Sequence, residues 1–250
     1  MYKLGLVSIS FRQNSPREIL DAVKAAGLTC IEWGSDVHAP CTDTARLAEL
    51  VALQKEFGIS CCSYGTYFRL GVTPLNELPK YIPAAKALGA DIIRLWCGDR
   101  DTADYAQADR AALLADCKAA AAIAEKENVT FCLECHNHTF TNDAEGALWL
   151  MEKVNSKHFR MYWQPNQFKS TEENLRYARL IAPYTVNLHV FNWEGHGKFP
   201  LREGASLWEQ YLPCFPQHPV LLLEHMPDGR IESLSAEAQA LFDIVGGTNA

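Results

Sequence analysis

The chain has 250 residues, of which 48% are hydrophobic and 21% are charged, a balance typical of a globular protein with a full core. The formal net charge of −7 repels a phosphate backbone on average, so nucleic acid is not an expected partner. No apolar run approaches the roughly 18 residues of a membrane span, so we expect no membrane partner either.

Short apolar segments alternate with longer amphipathic segments along the whole chain. We predict eight β-strands, at Leu4–Ile9, Cys30–Trp33, Ile59–Ser63, Asp91–Trp96, Val129–Glu134, Phe159–Trp163, Thr185–Val190 and Val220–Glu224. A helix is predicted after each strand, at Pro16–Ala26, Thr42–Phe57, Leu75–Leu88, Gln107–Lys126, Ala144–Val154, Glu172–Ile181, Leu207–Phe215 and Ala236–Val245. The first helix carries the usual end signals, with Ser15 before it, Pro16 in its first turn and Gly27 after it.

Eight strand–helix repeats predict a single α/β domain, a (β/α)8 TIM barrel spanning residues 1–250. Gly27, Gly58 and Gly89 follow successive helices at intervals of about 31 residues, the length of one βα unit. A doubly wound open sheet is the alternative fold. It requires a glycine-rich phosphate loop after the first strand, and the segment Ser10–Ser15 contains no glycine.

The nine cysteines need an interpretation. Cys132 and Cys135 have the spacing of a zinc-ribbon pair, but along a strand their side chains point in different directions. An odd number of cysteines without a secretory signal predicts reduced thiols in a cytoplasmic protein. We expect most of them to fill the core.

Polar residues interrupt the ends of the later predicted strands, with Glu134 on the fifth, His189 on the seventh and Glu224 on the eighth. Each alone is more simply a hydrogen-bond or salt-bridge partner, but in a barrel all three share one mouth, where active sites lie. Two carboxylates there repel each other unless a cation joins them. A neutral imidazole suits Mn, Co or Zn better than Mg. We therefore predict one divalent metal ion bound by these three residues.

Several motifs around these positions resemble the xylose isomerase-like TIM barrel superfamily of sugar isomerases and epimerases, which includes D-tagatose 3-epimerase-like enzymes. The resemblance covers almost the whole chain. The motifs that carry it are Leu133-Glu134-x-His136, Leu188-His189-Val190, Pro200-Leu201-Arg202-Glu203-Gly204, Leu222-Leu223-Glu224, Cys30-Ile31-Glu32-Trp33-Gly34 and Ser63-Tyr64-Gly65-Thr66-Tyr67.

The resemblance implies a metal site of four ligands from strands five to eight. Glu134, His189 and Glu224 match three of them, while Gln164 stands where the family usually has aspartate. A glutamine oxygen can still ligate a cation, but it brings no charge. Gln167 stands where the epimerases commonly place a substrate-binding histidine, which puts an identical substrate in doubt.

The resemblance also implies a reaction on a small sugar or keto-polyol, in which a proton next to a carbonyl is removed to give a metal-stabilised enediolate. Glu134 and Glu224 are then the catalytic bases. The expected substrate-binding residues are His136, Gln167, Arg202, Arg69, Tyr67 and Trp33. Tyr64, Trp96 and Trp163 are further candidates for an apolar wall against the sugar, and His225 is expected to face away because it follows Glu224 directly.

Two alternative functions stay open. A keto-polyol dehydratase of the inosose dehydratase type begins with the same proton abstraction, and a barrel that binds a sugar or a metal without turnover would use the same residues. An endonuclease IV-like nuclease is disfavoured by the negative charge and by Gln164. Related enzymes often pair, so a homo-oligomer is also expected.

Overall fold

A closed barrel of eight parallel strands forms the centre of the computed structural model, which describes residues 2–248. Met1, Asn249 and Ala250 of the predicted domain lie outside the described residues. The barrel strands are β1 (Leu4–Val7), β2 (Cys30–Gly34), β3 (Ser60–Leu70), β4 (Ile92–Cys97), β5 (Thr130–Glu134), β6 (Phe159–Trp163), β7 (Thr185–Val190) and β10 (Val220–Leu223). Neighbours in sequence are neighbours in space, and β10 closes the barrel against β1 by pairing Leu221 with Leu4. The predicted TIM barrel is confirmed, and the open-sheet alternative is wrong.

Within residues 2–248, eight α-helices surround the barrel: α1 (Pro16–Ala25), α2 (Thr44–Phe57), α3 (Tyr81–Leu88), α4 (Gln107–Glu127), α5 (Ala144–Val154), α6 (Thr171–Ile181), α7 (Ala205–Tyr211) and α8 (Leu234–Thr248). Ser15 and Glu18 form a capping box at α1, and Ser170 and Glu173 form another at α6, which satisfies backbone N–H groups that a helix leaves free. Gly58 ends α2 in the left-handed conformation, at φ 71°.

The structure differs from the predicted elements mainly at the carboxyl end of the barrel. β1 stops at Val7, and Ser8–Phe11 is a 3-10 helix, although its buried Ile9 and Phe11 continue the apolar pattern of the strand. β3 extends to Leu70 with irregular register against both neighbours. A short antiparallel hairpin follows β7, formed by β8 (Trp193–Glu194) and β9 (Gly197–Lys198). Strands of two residues are too short to leave an alternating pattern.

Alternation along each barrel strand divides the core into two parts. On β6, Tyr162 points into the barrel, where its ring lies 5.2 Å from that of His189. The next residue, Trp163, points outward and packs against Trp208 and Tyr211 of α7. Both are fully buried, so hydrophobicity alone does not tell which side a strand residue faces.

The nine cysteines are all free thiols, six of them buried. Their positions agree with the expectation that most fill the core. Among residues 2–248, no helix is long and apolar enough to cross a membrane.

Candidate metal centre

Four side chains from consecutive strand ends converge at the mouth of the barrel. The Nδ1 atom of His189 lies 2.8 Å from Gln164 Oε1, 3.3 Å from Glu134 Oε1 and 3.4 Å from Glu224 Oε2. One potential ligand atom from each of Glu134, His189 and Glu224 lies within 4.8 Å of the others. The four residues predicted as metal ligands are therefore brought together around a single point.

The local backbone explains why these residues meet. Glu134 is the last residue of β5, and His189 is the penultimate residue of β7. Gln164 directly follows β6, and Glu224 directly follows β10, where its backbone N–H donates to Val190 O at 3.0 Å. Because parallel strands end at the same rim of a barrel, residues at these positions share one layer.

The cluster is buried and strongly charged. Glu134 is 3% exposed, Glu224 6% and His189 0%. Burial alone raises the pKa of a carboxyl group, but Arg94 and His189 hold the pKa of Glu134 well below its usual range. Burial likewise opposes ionisation of Glu224, yet His189 and His225 lower its pKa to about 2. Both carboxylates are therefore ionised at neutral pH.

His189 responds to the same charges in the opposite direction. Burial lowers the pKa of an imidazole, but Glu224 and Glu134 together raise the pKa of His189 to about 10. Without a metal ion, a proton on this ring thus adds to Arg94 a second positive charge beside the two carboxylates.

The donor set fits a divalent cation. Two carboxylate oxygens, one imidazole nitrogen and one amide oxygen point to a common centre, and the site has a surplus of negative charge in a buried position. Carboxylate and amide oxygens suit hard cations, and the imidazole favours transition metals. A possible metal-binding triad with a fourth neutral donor is present.

A cavity of about 210 Å³ opens above this centre. Three of the predicted substrate-binding residues, Tyr67, His136 and Gln167, line it. The His136 ring stacks on Trp96 with centroids 4.8 Å apart, and its Nδ1 donates to Asn137 O at 2.8 Å. In the neutral ring, this bond leaves the lone pair of Nε2 free to accept from a ligand hydroxyl.

Three other predicted substrate-binding residues do not line the cavity. Trp33 is fully buried on the outer face of β2, where its Nε1 donates to Gln54 of α2 at 3.0 Å. Arg69 lies beside the ring of Trp96, 4.5 Å from its centroid, and donates to Gly98 O. Arg202 is exposed and lies on the helical side of the barrel near α8.

Tyr64 and Trp163, which were predicted as part of an aromatic wall, are also buried outside the barrel mouth. Successive side chains of a strand point to opposite faces, and this alternation directs Trp33, Tyr64 and Trp163 away from the cavity.

The sequence prediction missed two charged residues inside the barrel. Glu32 is 0% exposed and Arg94 is 2% exposed. Arg94 Nε donates to Glu32 Oε1 at 2.9 Å, and Arg94 Nη1 donates to Glu134 Oε2. Trp96 Nε1 donates to the same Glu134 oxygen at 2.5 Å. The sequence does contain a sign of this ion pair. β2 has one acidic residue and β4 has one basic residue, each within an apolar run, and a buried charge of this kind requires a partner.

The expectation that His225 faces away is wrong. β10 ends at Leu223, and His225 has a positive φ of 56°, so strand alternation no longer sets its direction. Its ring lines the cavity and lies 5.1 Å from that of Trp193. Its Nε2 is 3.7 Å from Glu224 Oε1.

Comparisons with known proteins agree with this architecture. The family model described as the xylose isomerase-like TIM barrel matches residues 20–213, whereas a search of curated proteins finds no match. Among solved structures, the chain is similar to the probable 3-DHS dehydratase AsbF involved in petrobactin synthesis from Bacillus anthracis, with a TM-score of 0.81 and 16% identity over 97% of this chain and 99% of that chain.

Two further solved structures illustrate the range of similar proteins. D-psicose 3-epimerase from Clostridium cellulolyticum has a TM-score of 0.71 and 15% identity over 98% of this chain and 99% of that one. A xylose isomerase-like TIM barrel protein from Mycobacterium smegmatis, solved in complex with magnesium, has a TM-score of 0.75 and 11% identity over 100% and 98%. At such identities the likeness shows the fold alone.

Proposed function

Because the chain belongs to the xylose isomerase-like TIM barrel family, we propose that it is a divalent-metal-dependent isomerase or epimerase of a small ketose or keto-polyol. The observation that carries this proposal is the convergence of Glu134, Gln164 and Glu224 on His189 Nδ1 beneath a small cavity. A cavity of about 210 Å³ suits a small polyhydroxylated molecule rather than a polymer.

A divalent cation held at this site would supply Lewis acidity for a substrate carbonyl and its neighbouring C–H group. Glu134, Gln164, His189 and Glu224 would hold it, and the imidazole ligand favours Mn, Co or Zn over Mg.

The two glutamates are not equivalent as bases. Glu134 Oε2 accepts hydrogen bonds from Arg94 and Trp96, which fixes that carboxylate and weakens its affinity for a proton. Glu224 Oε1 faces His225 Nε2 at 3.7 Å, beyond hydrogen-bonding distance. We therefore assign removal of the substrate proton to Glu224. For epimerisation, Glu134 would take a proton from water and deliver it to the opposite face of the enediolate, and Glu224 would release its proton to water, so that no proton is gained or lost overall.

The cavity walls orient the substrate and exclude water. The free Nε2 of His136 accepts from a sugar hydroxyl, and the Gln167 amide offers both a donor and an acceptor. Tyr67, Trp96 and Trp193 present aromatic surface to the cavity, where an apolar sugar face packs.

Solvent-deuterium incorporation tests the proposal. Protein loaded with Mn²⁺ or Co²⁺ is incubated in D₂O with small ketoses, and incorporation next to the carbonyl is followed by NMR. Glu224→Gln is expected to slow incorporation by about 10²–10⁴-fold, while Glu172→Gln, an exposed carboxylate on α6, is expected to leave it unchanged. Absence of incorporation with every ketose tested on metal-loaded protein would overturn the proposal and favour a binding protein.

A dehydratase is the second candidate, and the position of Tyr67 favours it. Arg12 Nη2 donates to the phenol oxygen of Tyr67, so the phenol proton is directed to another acceptor. Burial raises the pKa of Tyr67, which keeps this proton available for a departing hydroxyl. Mass spectrometry separates the two reactions, since dehydration lowers the product mass by one water and epimerisation leaves it unchanged.

A further inference from the structure

Three buried polar atoms inside the barrel have no hydrogen-bond partner among the described residues. They are Arg94 Nη2, Asn187 Oδ1 and His189 Nε2. A buried polar atom without a partner costs about 1–3 kcal/mol, and native proteins contain few of them. Three such atoms in one buried network indicate that its hydrogen bonds differ when the protein has bound its ligand.

The His189 ring links this network to the candidate metal centre. Its Nδ1 lies among the ligand atoms of Glu134, Gln164 and Glu224. A cation at that point takes the lone pair of Nδ1, so the one proton of the neutral ring must reside on Nε2. The unpartnered Nε2 then becomes a buried donor that needs an acceptor.

Glu32 faces that donor. Its Oε1 lies 3.9 Å from His189 Nε2, and both side chains are 0% exposed. The gap is about 1 Å longer than a hydrogen bond, so a small ring movement toward Glu32, or one bridging water, completes the contact.

The Glu32 carboxylate is rigidly held for this role. Its Oε2 accepts from Ser63 Oγ at 2.7 Å and from Tyr162 Oη at 2.8 Å, and its Oε1 accepts from Arg94 Nε at 2.9 Å. A side chain at position 65 would collide with this ion pair, because a Cβ on Gly65 would lie 2.6 Å from Glu32 Oε1. The second lone pair of Oε1 is left for His189.

We infer that Glu32 is a positioning residue of the metal centre, whose carboxylate accepts the Nε2–H of His189 and holds the ring with Nδ1 toward the cation. The inference rests on the proposed cation site and extends it to a residue that touches neither cation nor substrate. Arg94 joins Glu32 to Glu134, so a single buried network orients two of the ligands. Loss of such a partner typically weakens metal binding 10–100-fold.

Titration with Co²⁺ tests the inference without reference to activity. Glu32→Gln keeps the shape of the side chain and removes its charge, and we expect its Kd for Co²⁺ to rise about 10–100-fold. Glu237→Gln is the matched control, since Glu237 is also a buried carboxylate but accepts from Leu201 N outside the cavity. Its Kd is expected to change by less than about threefold. Equal Co²⁺ affinity for folded Glu32→Gln and the unmodified protein would overturn the inference.

Proton NMR of the Co²⁺-loaded protein gives a signature that a merely structural role of Glu32 does not produce. The unmodified protein should show a paramagnetically shifted, slowly exchanging N–H resonance from His189, and Glu32→Gln should shift it and speed its exchange. If Glu32→Gln does not fold, the unmodified protein still decides, because exchange at the rate of a free imidazole N–H means that no acceptor holds Nε2. Failure to bind Co²⁺ would refute the cation site itself, whereas Co²⁺ binding without deuterium incorporation would refute only the proposed enzymatic activity.

Discussion

Replacing Arg94 with methionine is the sharpest test of the buried charge network. The change keeps an unbranched, flexible side chain but removes the guanidinium that contacts Glu32 and Glu134. Both partners are essentially inaccessible to solvent. Removal of one member of a buried ion pair costs about 3–5 kcal/mol, since it leaves an unpaired charge out of water.

The size of the effect follows from the charges that remain. Glu32, Glu134 and Glu224 are then opposed only by the proton on His189 within this cluster. We expect Arg94→Met to lower the free energy of unfolding of the metal-free protein by about 3–5 kcal/mol, or its Tm by about 6–20 °C for a chain of this size. A divalent cation at about 100 times its Kd should return about 2.7 kcal/mol.

Urea unfolding followed by circular dichroism, with EDTA and then with Co²⁺, measures both effects. Arg17→Met is the control, because Arg17 pairs with Glu56 at the surface, where the side chains are 57% and 53% exposed, and such pairs contribute at most about 1 kcal/mol. A loss below about 1 kcal/mol for Arg94→Met would refute the view that these interior charges depend on one another.

Three further outcomes follow from the same structure. Gly65→Ala should lose about 1–3 kcal/mol of stability and bind Co²⁺ more weakly, because its Cβ would lie 2.6 Å from Glu32 Oε1. Gly246 lies on α8, where an added Cβ meets open space, so Gly246→Ala should lose neither stability nor Co²⁺ affinity. The stability of the metal-free protein should fall as the pH rises from 6.5 toward 10, because the folded pKa of His189 is raised to about 10. Stability should also fall as the pH drops from 4.5 toward 2, because the folded pKa of Glu224 is lowered to about 2. Equal urea midpoints at pH 6 and pH 9 in EDTA would contradict the predicted loss at high pH. Trp163→Ala should lose about 3–5 kcal/mol in urea unfolding yet change the Co²⁺ affinity by less than about threefold, since Trp163 packs against α7 outside the barrel; a large loss of affinity would show that the two sides of β6 are coupled.

The sequence predicted the barrel and the ligand cluster for related physical reasons. Buried parallel strands require apolar runs of fixed length, and the capped helices between them leave clear end signals. A polar side chain at the end of such a run is conspicuous, so Glu134, His189 and Glu224 could be identified together. Gln164 was predicted only through the resemblance to the xylose isomerase-like family, which implies a fourth ligand after the sixth strand.

The less accurate predictions concern residues whose role depends on the direction of the side chain rather than on their position along the strand. Trp33 and Trp163 lie at strand ends, as a substrate wall requires, but they point toward the helices. His225 turns into the cavity because its backbone leaves the strand conformation. Adjacent residues of a strand face opposite sides of the sheet, so an error of one residue in the predicted alternation reverses the side that a residue faces. The amino-acid composition carries no information about that side. Glu32 and Arg94 were not predicted, because each is an isolated charge in the sequence, and their side chains meet only when β2 and β4 pair with the two edges of β3.

The buried bridge from Glu32 through Arg94 to Glu134 also restricts how this sequence can diverge. Each of the three residues is on a different strand, and Arg94 carries the one positive charge that pairs with both carboxylates. Loss of Arg94 alone leaves two buried carboxylates without this partner, whereas loss of Glu32 alone leaves Arg94 paired with Glu134. We therefore expect that, among descendants of this chain, a change at position 94 occurs only together with loss of the charge at position 32.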